Sequence, residues 1–275
     1  MDAFVGVRSD ACGLDQLVAS YAIPDAVRAL LVRGEGSLRR WTAVWRFAGG
    51  EVVWPVRDLA AVPVSESESV RGFTWRARQR HRPGLQFMVS TGRHHGFESL
   101  EEQRLLLALD FLRVAEVLSQ PFRLEFEHRG GRGRHTPDFL AIRPDGARWL
   151  LDVRPRRLIG ERDVLGFAAA EEAAAACGWR YAVVTGWRRH VCGVLDALSA
   201  QRRPLEDLLG VQGPLIAAAE EGHLAFGELV AATPWPVVAR AHALHLIWHR
   251  RLAVDLAAPL GDSSPVWAGS ESGKG

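Results

Sequence analysis

Between Phe122 and Glu127 the chain alternates apolar Phe122, Leu124 and Phe126 with polar Arg123, Glu125 and Glu127, the period-two pattern of a strand with one buried face. A GGRGR turn leads into a second run, residues 136–143, so a hairpin with a basic tip is predicted. A Pro144-Asp145-Gly146 turn then leads to a third strand over residues 148–153. Upstream, Leu105, Leu106, Leu109 and Leu112 fall on one helical face, which predicts a helix from Ser99 that ends before Gln120-Pro121. Downstream, an Ala-rich helix over 163–177 stops at Gly178, and 181–185 reads as a fourth strand. The predicted order is helix, three meandering strands, helix, strand.

Towards the N-terminus, residues 41–57 read as a hairpin of aromatic and β-branched runs around Gly49-Gly50, with a Ser/Glu-rich loop at 65–69. Beyond about Arg189 helical patterns take over at 190–201, 203–209, 213–222, 225–232 and 236–249, followed by a short strand at 252–256. This set is compatible with a winged helix whose recognition helix ends AHALHLIWHRR, and equally with a plain helical cap. The polar, glycine-rich residues 261–275 are expected to form a disordered tail. The expected division is thus 1–70, a β-containing region; 71–188, a mixed α/β core; 189–260, helical; and 261–275, tail.

A chain of 275 residues with 48% hydrophobic content can bury a real core. Three cysteines without CxxC spacing suggest neither a disulfide framework nor a zinc site. The first ten residues have no apolar stretch of the signal-peptide kind, and no run approaches the roughly 20 apolar residues of a membrane span. The expectation is a soluble, cytoplasmic protein. The formal charge is only +2, so any footprint for nucleic acid must be local. The only lysine is Lys274, and the densest basic stretch, residues 71–87, interleaves Arg71, Arg76, Arg78, Arg80 and Arg82 with Phe73 and Trp75. It reads either as a phosphate-contacting segment with aromatic support or as a solvated loop. Arg132 and Arg134 in the basic turn are further candidates for DNA contact.

Alternation puts Asp138, Leu140 and Ile142 on one face of the second strand, and Leu150, Asp152 and Arg154 on one face of the third. The hairpin connection brings the start of one strand beside the end of the other, so the two acids converge. Two carboxylates, a backbone carbonyl such as that of Val153 and water form the oxygen-rich partial shell that magnesium favours. Glu102 sits three, four and seven residues before Leu105, Leu106 and Leu109, which would aim it inward as a third carboxylate. The same glutamate also completes a capping box with Ser99, and sequence alone leaves both roles open. His94, His95, His128 and His135 flank this region; His242, His245 and His249 recur at helical spacing but lack an acidic or Cys partner, so surface or phosphate-contact roles are preferred to a metal triad. The chain has no P-loop, GxGxxG or GxSxG, which removes support for an ATPase or an α/β-hydrolase.

Taken in order, ESLEEQRLLLALDF at 98–111, SQPF at 119–122, RHTPDFLAIR at 134–143 and LLDVRP at 150–155 resemble the TnsA family, endonuclease subunits of heteromeric transposases. PGLQFMVSTG before them and LHLIWHRRLAVDLAAPL near the C-terminus add to the likeness. The resemblance implies a PD-(D/E)xK, restriction-endonuclease-like nuclease core with Glu102, Asp138, Asp152 and Arg154 as its catalytic set. It further implies Mg2+, with Mn2+ as substitute, held by Glu102, Asp138, Asp152 and the Val153 carbonyl. Arg154 stands where that class has lysine; an arginine keeps its charge but cannot act as a neutral base. The implied activity is hydrolysis of one strand of double-stranded DNA at the transposon 5′ ends, with a DDE-type transposase and an AAA+ ATPase regulator as partners. Two alternatives stand beside it: a catalytically weak or inactive DNA-binding or bridging subunit of the same fold, and a stand-alone defence or repair nuclease.

Overall fold

The computed structural model describes residues 6–33, 35–72 and 83–270. The protein is mixed α/β with several sheets and helices, and among the described residues no helix is long and apolar enough to cross a membrane. It divides into two compact units, residues 19–186 and residues 1–18 together with 187–275. The division after residue 186 lies two residues from the boundary expected at 188, whereas no division falls at the one expected at 70.

In chain order the first of these carries β1 (Val18–Ser20), β2 (Thr42–Phe47), β3 (Gly50–Pro55), β4 (Ser67–Glu68), β5 (Gly84–Met88), β6 (Arg93–Phe97) and helix α1 (Leu100–Phe111). Then come β7 (Glu116–Ser119), β8 (Phe122–His128), β9 (Gly131–His135), β10 (Phe139–Ile142), β11 (Arg148–Val153), α2 (Glu161–Ala176) and β12 (Arg180–Trp187). The central sheet has the order β1-β12-β11-β10-β7. Within it β10 is antiparallel to β7 and β11, while β11 and β12 are parallel, as a crossover through α2 requires. A second sheet has the order β3-β2-β8-β9, with β4 on β2, and β5 and β6 form a separate hairpin.

Two expectations change here. The helix over 100–111 ends earlier than the leucine pattern suggested, and residues 116–119 become a strand. The alternating strand β8 turns back at Gly130-Gly131 onto β9, so much of GGRGR is itself strand, and β10 pairs with β7 instead. Residues 19–70 are part of the core: β2 supplies the edge on which β8 forms, from Thr42↔Glu125 to Trp45↔Phe122.

Helix α2 lies between the two sheets. Trp41, Trp45, Phe122, Leu124 and Phe126 from one side and Leu140, Leu150 and Val183 from the other join Phe167, Ala168, Ala169, Ala170, Ala173 and Ala174 in one core. A helix covered on more than one face cannot be amphipathic, and alanines let both sheets approach its backbone closely, which accounts for the Ala-rich run. Helix α1 rests against β11 and the β5–β6 hairpin with Leu105, Leu106 and Leu109 fully buried.

The other unit has α3 (Val191–Ser199), α4 (Gln212–Glu221), β13 (Leu224–Ala225), α5 (Phe226–Ala231), α6 (Pro236–Trp248), β14 (Leu252–Ala253) and β15 (Pro265–Ala268). Its sheet has the order β13-β15-β14. Residues 265–268 form the central strand of this sheet, not a disordered tail, because they satisfy the backbone of both neighbours. The N-terminal segment is stitched to the same unit: Ser9 N–H donates to the Val254 carbonyl at 3.0 Å and Leu256 N–H to that of Val7 at 2.8 Å.

Candidate functional site

Strand β11 ends at Val153 and β10 begins at Phe139, and the register pairs Phe139 with Leu151 and Leu140 with Leu150. Asp138 and Asp152 consequently meet at one end of the central sheet. The Asp138 backbone N–H donates to the Leu151 carbonyl at 3.0 Å, and its Oδ2 accepts the Val153 N–H at 2.7 Å. Burial holds the Asp138 carboxyl well above the usual carboxylate range, and the nearby charges of Asp152 and Glu102 push the same way. Asp138 is therefore within electrostatic reach of both Asp152 and Glu102.

Glu102 is buried at the start of α1 and is hydrogen-bonded to the residues around its N-cap. Ser99 is the N-cap of α1 and accepts the Glu102 N–H at 3.2 Å, while the Ser99 hydroxyl donates to Glu102 Oε1 at 2.8 Å. Oε2 accepts the N–H of Glu98 at 2.7 Å, one residue before the amide a capping box would use. The carboxylate is 8% exposed, and its burial raises its pKa.

Asp152 is 2% exposed, and both of its carboxylate oxygens have hydrogen-bond partners. His135 Nε2 lies 3.0 Å from Oδ1 and 2.8 Å from Oδ2, and the Tyr181 hydroxyl donates to Oδ2 at 2.5 Å. Arg154, exposed, turns to the β11–α2 connection, its Nε lying 3.3 Å from the Leu158 carbonyl and 3.5 Å from Asp163 Oδ2. Asp163 in turn caps α2 by accepting the Gly160 N–H at 2.9 Å.

Among the described residues no three His, Cys, Asp or Glu side chains stand close enough together to hold a metal ion. The donor chemistry nonetheless fits a hard divalent cation. Each carboxylate oxygen carries two lone pairs, so one hydrogen bond does not exhaust it. Gln120 adds an independent sign: it is 2% exposed, its N–H donates to the Asp138 carbonyl at 2.7 Å, and its buried Oε1 has no partner among the described residues. Its φ of 47° is in the left-handed region, directly before Pro121, a conformation that costs on the order of 1–3 kcal/mol and is typical of functional sites.

Of the arginines expected to touch DNA, Arg76, Arg78, Arg80 and Arg82 lie outside the described residues. Arg71 is exposed in a bend, one residue after Val70, whose N–H donates to the Gln120 carbonyl. Arg71 thus lies one residue from a backbone link to Gln120, itself bonded to the Asp138 carbonyl. Arg134 pairs with Glu125 at 3.3 Å and Arg132 with Glu127 at 3.8 Å, both from exposed positions. Arg156 and Arg157, in the connection after β11, and Arg162, in the first turn of α2, are exposed, and their side chains have no ion pair or hydrogen bond among the described residues. The sequence reading missed these three, together with His135, Tyr181 and Gln120 as site residues. RPRRLIGER carried a charge signal for the arginines, whereas the other three have none in local sequence.

The C-terminal histidines turn inward. His242 is 4% exposed and shares a 3.0 Å hydrogen bond with Gln212 Nε2, and His245 and His249 donate to the carbonyls of Gln201 and Arg202. Surface and phosphate-contact roles are thereby removed from His242, because a buried ring has no access to a phosphate. His95 is likewise buried, bonded to Thr91 Oγ1 at 2.7 Å, and burial lowers its pKa. No family model matches the chain, and no curated protein matches it.

Proposed function

We propose that the chain is a PD-(D/E)xK-type, divalent-metal-dependent DNA endonuclease of the TnsA kind, with its site at the β10–β11 end of the central sheet. The observation that carries this is the pairing of β10 with β11, which sets Asp138 and Asp152 side by side at one end of the central sheet, with the charges of Asp152 and Glu102 both acting on the Asp138 carboxyl. A divalent cation bound there would offset the repulsion among these carboxylates and favour their ionised forms. The order α1, β7, β10, β11, α2, β12, with one parallel pair, also agrees with a restriction-endonuclease-like core.

Glu102, Asp138, Asp152 and the Val153 carbonyl would hold Mg2+, or Mn2+ in its place. Such an ion supplies Lewis acidity, lowering the pKa of bound water and neutralising charge on the leaving oxygen. Asp138, steadied by the Val153 N–H, anchors that end of the sheet. Arg154 approaches Asp163 and Leu158 through Nε, so its terminal nitrogens can face a phosphate as fixed charge, without serving as a base. Arg71, Arg156, Arg157 and Arg162 extend a cationic surface on which the DNA backbone would lie.

In this reading the chain cleaves one strand at transposon 5′ ends beside a DDE-type transposase and an AAA+ regulator. The order helix, strand, helix, helix, strand, strand in the C-terminal unit supports a winged helix. Its α6, however, exposes Trp235, Val237 and Val238, and its Arg240 is paired with Asp262 at 2.6 Å. That surface suits a protein partner better than base edges. A second reading, a nuclease-fold bridging subunit without catalysis, draws support from the engagement of Arg154 by Asp163.

Calorimetry with Mn2+ on wild type, Asp138→Ala and Asp152→Ala tests the metal, and strand cleavage reconstituted with the transposase tests the activity. Abolition of binding in both variants together with cleavage supports the nuclease; binding without cleavage leaves the bridging subunit; no binding in the wild type sinks the metal reading.

A further inference from the structure

The carboxylate of Asp152 does not stand alone at the sheet end. It is the meeting point of three separate elements: β11, which carries it; β9 of the second sheet, which carries His135; and β12, which carries Tyr181. His135 Nε2 lies within hydrogen-bond distance of both Asp152 oxygens, at 3.0 and 2.8 Å, and donates to the carboxylate in the tautomer that carries its proton on Nε2. The Tyr181 hydroxyl adds a third bond at 2.5 Å. Burial and the charge of Asp152 hold the Tyr181 phenol well above its ordinary range, so it stays a donor.

The ring of His135 is fixed from behind. Its side chain is 15% exposed, and Phe167 of α2 meets it edge-on at 5.8 Å between centroids. On the same helix Gly166 leaves room for it: a Cβ at that position would lie 2.8 Å from His135 Nδ1, closer than side chains tolerate. A glycine inside a helix is unfavourable relative to alanine, so its presence here has a local reason. The helix presses the ring toward Asp152. His135 is thus badly placed to meet a substrate and well placed to orient a carboxylate.

We propose that His135 and Tyr181 are positioning residues that clamp Asp152 in the orientation from which it ligates a divalent cation beside Asp138. This rests on the metal reading of the site given above. Partners behind a ligand fix its rotamer and tune its basicity, and removing them typically weakens metal affinity about 10–100-fold. In this chain the clamp gives the third strand a fixed carboxylate even though Arg154 is drawn off to Asp163.

The test is Mn2+ calorimetry on the full chain with His135→Leu, His135→Gln and Tyr181→Phe, with circular dichroism to check folding. Tyr181→Phe removes one hydroxyl without changing ring shape, which keeps the test decisive if the histidine variants fold poorly. The Leu and Phe variants are expected to bind Mn2+ about 10–100-fold more weakly, and His135→Gln, which retains a donor, to recover most of the affinity. In 15N spectra of the wild-type histidines, His135 should show a protonated Nε2 that shifts on adding Mg2+. Wild-type binding with unchanged or tighter binding in the Leu and Phe variants would overturn the clamp while leaving the metal site. Absence of binding in the wild type would overturn both.

Discussion

At the residue scale the informative position is Asp138, where burial and two neighbouring carboxylates act in the same direction. The folded chain holds this proton more tightly than the unfolded chain does. Stability without metal is therefore greatest where the group is protonated in both states, and falls as pH rises from the ordinary aspartate range through the raised folded pKa. Asp138→Asn keeps an oxygen for the Val153 N–H and removes the charge. In urea unfolding without divalent ions, the stability of wild type relative to the variant should fall as pH rises above the ordinary aspartate range. Adding Mn2+ should oppose that fall, since only wild type can gain ligand stabilisation. Equal pH profiles for the two proteins would remove the electrostatic argument. Asp138 and Glu102 were both visible in sequence, because a Pro-Asp pair at a strand start and a Ser-x-x-Glu helix start are local signals. Their mutual approach was not, since it depends on where α1 lands on the sheet.

At the scale of elements, the β11–α2 connection with the first turn of α2, and the β8–β9 hairpin, offer two sets of arginines that differ in how far their charge is already balanced. Arg132 and Arg134 face Glu127 and Glu125 across the hairpin, whereas Arg156, Arg157 and Arg162 have no such partner among the described residues. Exposed pairs are individually weak, yet a cation beside an acid attracts phosphate less than one that stands alone. Replacing Arg156, Arg157 and Arg162 by Ala should weaken binding to a nonspecific duplex and lower the slope of log K against log salt by up to roughly 0.9 for each phosphate that is no longer neutralised. Arg132→Ala with Arg134→Ala should change that slope less. A larger effect from the hairpin pair would move the DNA surface onto β9. The hairpin expected over residues 41–57, seen at 42–55, and the strand β11 were legible from apolar runs and turn residues. Strand β7 was not, because four residues between a helix end and Gln120-Pro121 are too few to establish a period.

On the scale of the whole molecule, the chain's two ends belong to one unit and its middle to the other. Val7 and Cys12 are buried there, Asp10 accepts the Ser270 N–H at 3.1 Å, and Arg8 lies over the Trp267 ring at 5.4 Å. Deleting residues 1–12 should lower the melting of the C-terminal unit, with roughly 1.5–3 kcal/mol at stake for a buried valine side chain alone. Residues 19–186 expressed by themselves should fold and keep the Mn2+ response of the full chain. Calorimetric scans of both fragments check this, and a 19–186 fragment that fails to fold would refute the division. By itself the sequence determined the features that a few adjacent residues can dictate: the alternating faces of β8 and β11, the Ser99 cap, the helix stop at Gly178 with φ 72°, and the acids available for a site. Only the tertiary structure decided that β8 pairs with β2, that His135 and Tyr181 reach Asp152 from 17 and 29 residues away, and that the first residues join the last. Pattern fixes a residue's face through local backbone geometry, whereas strand partners and buried hydrogen bonds are chosen by the packing of surfaces far apart in the chain.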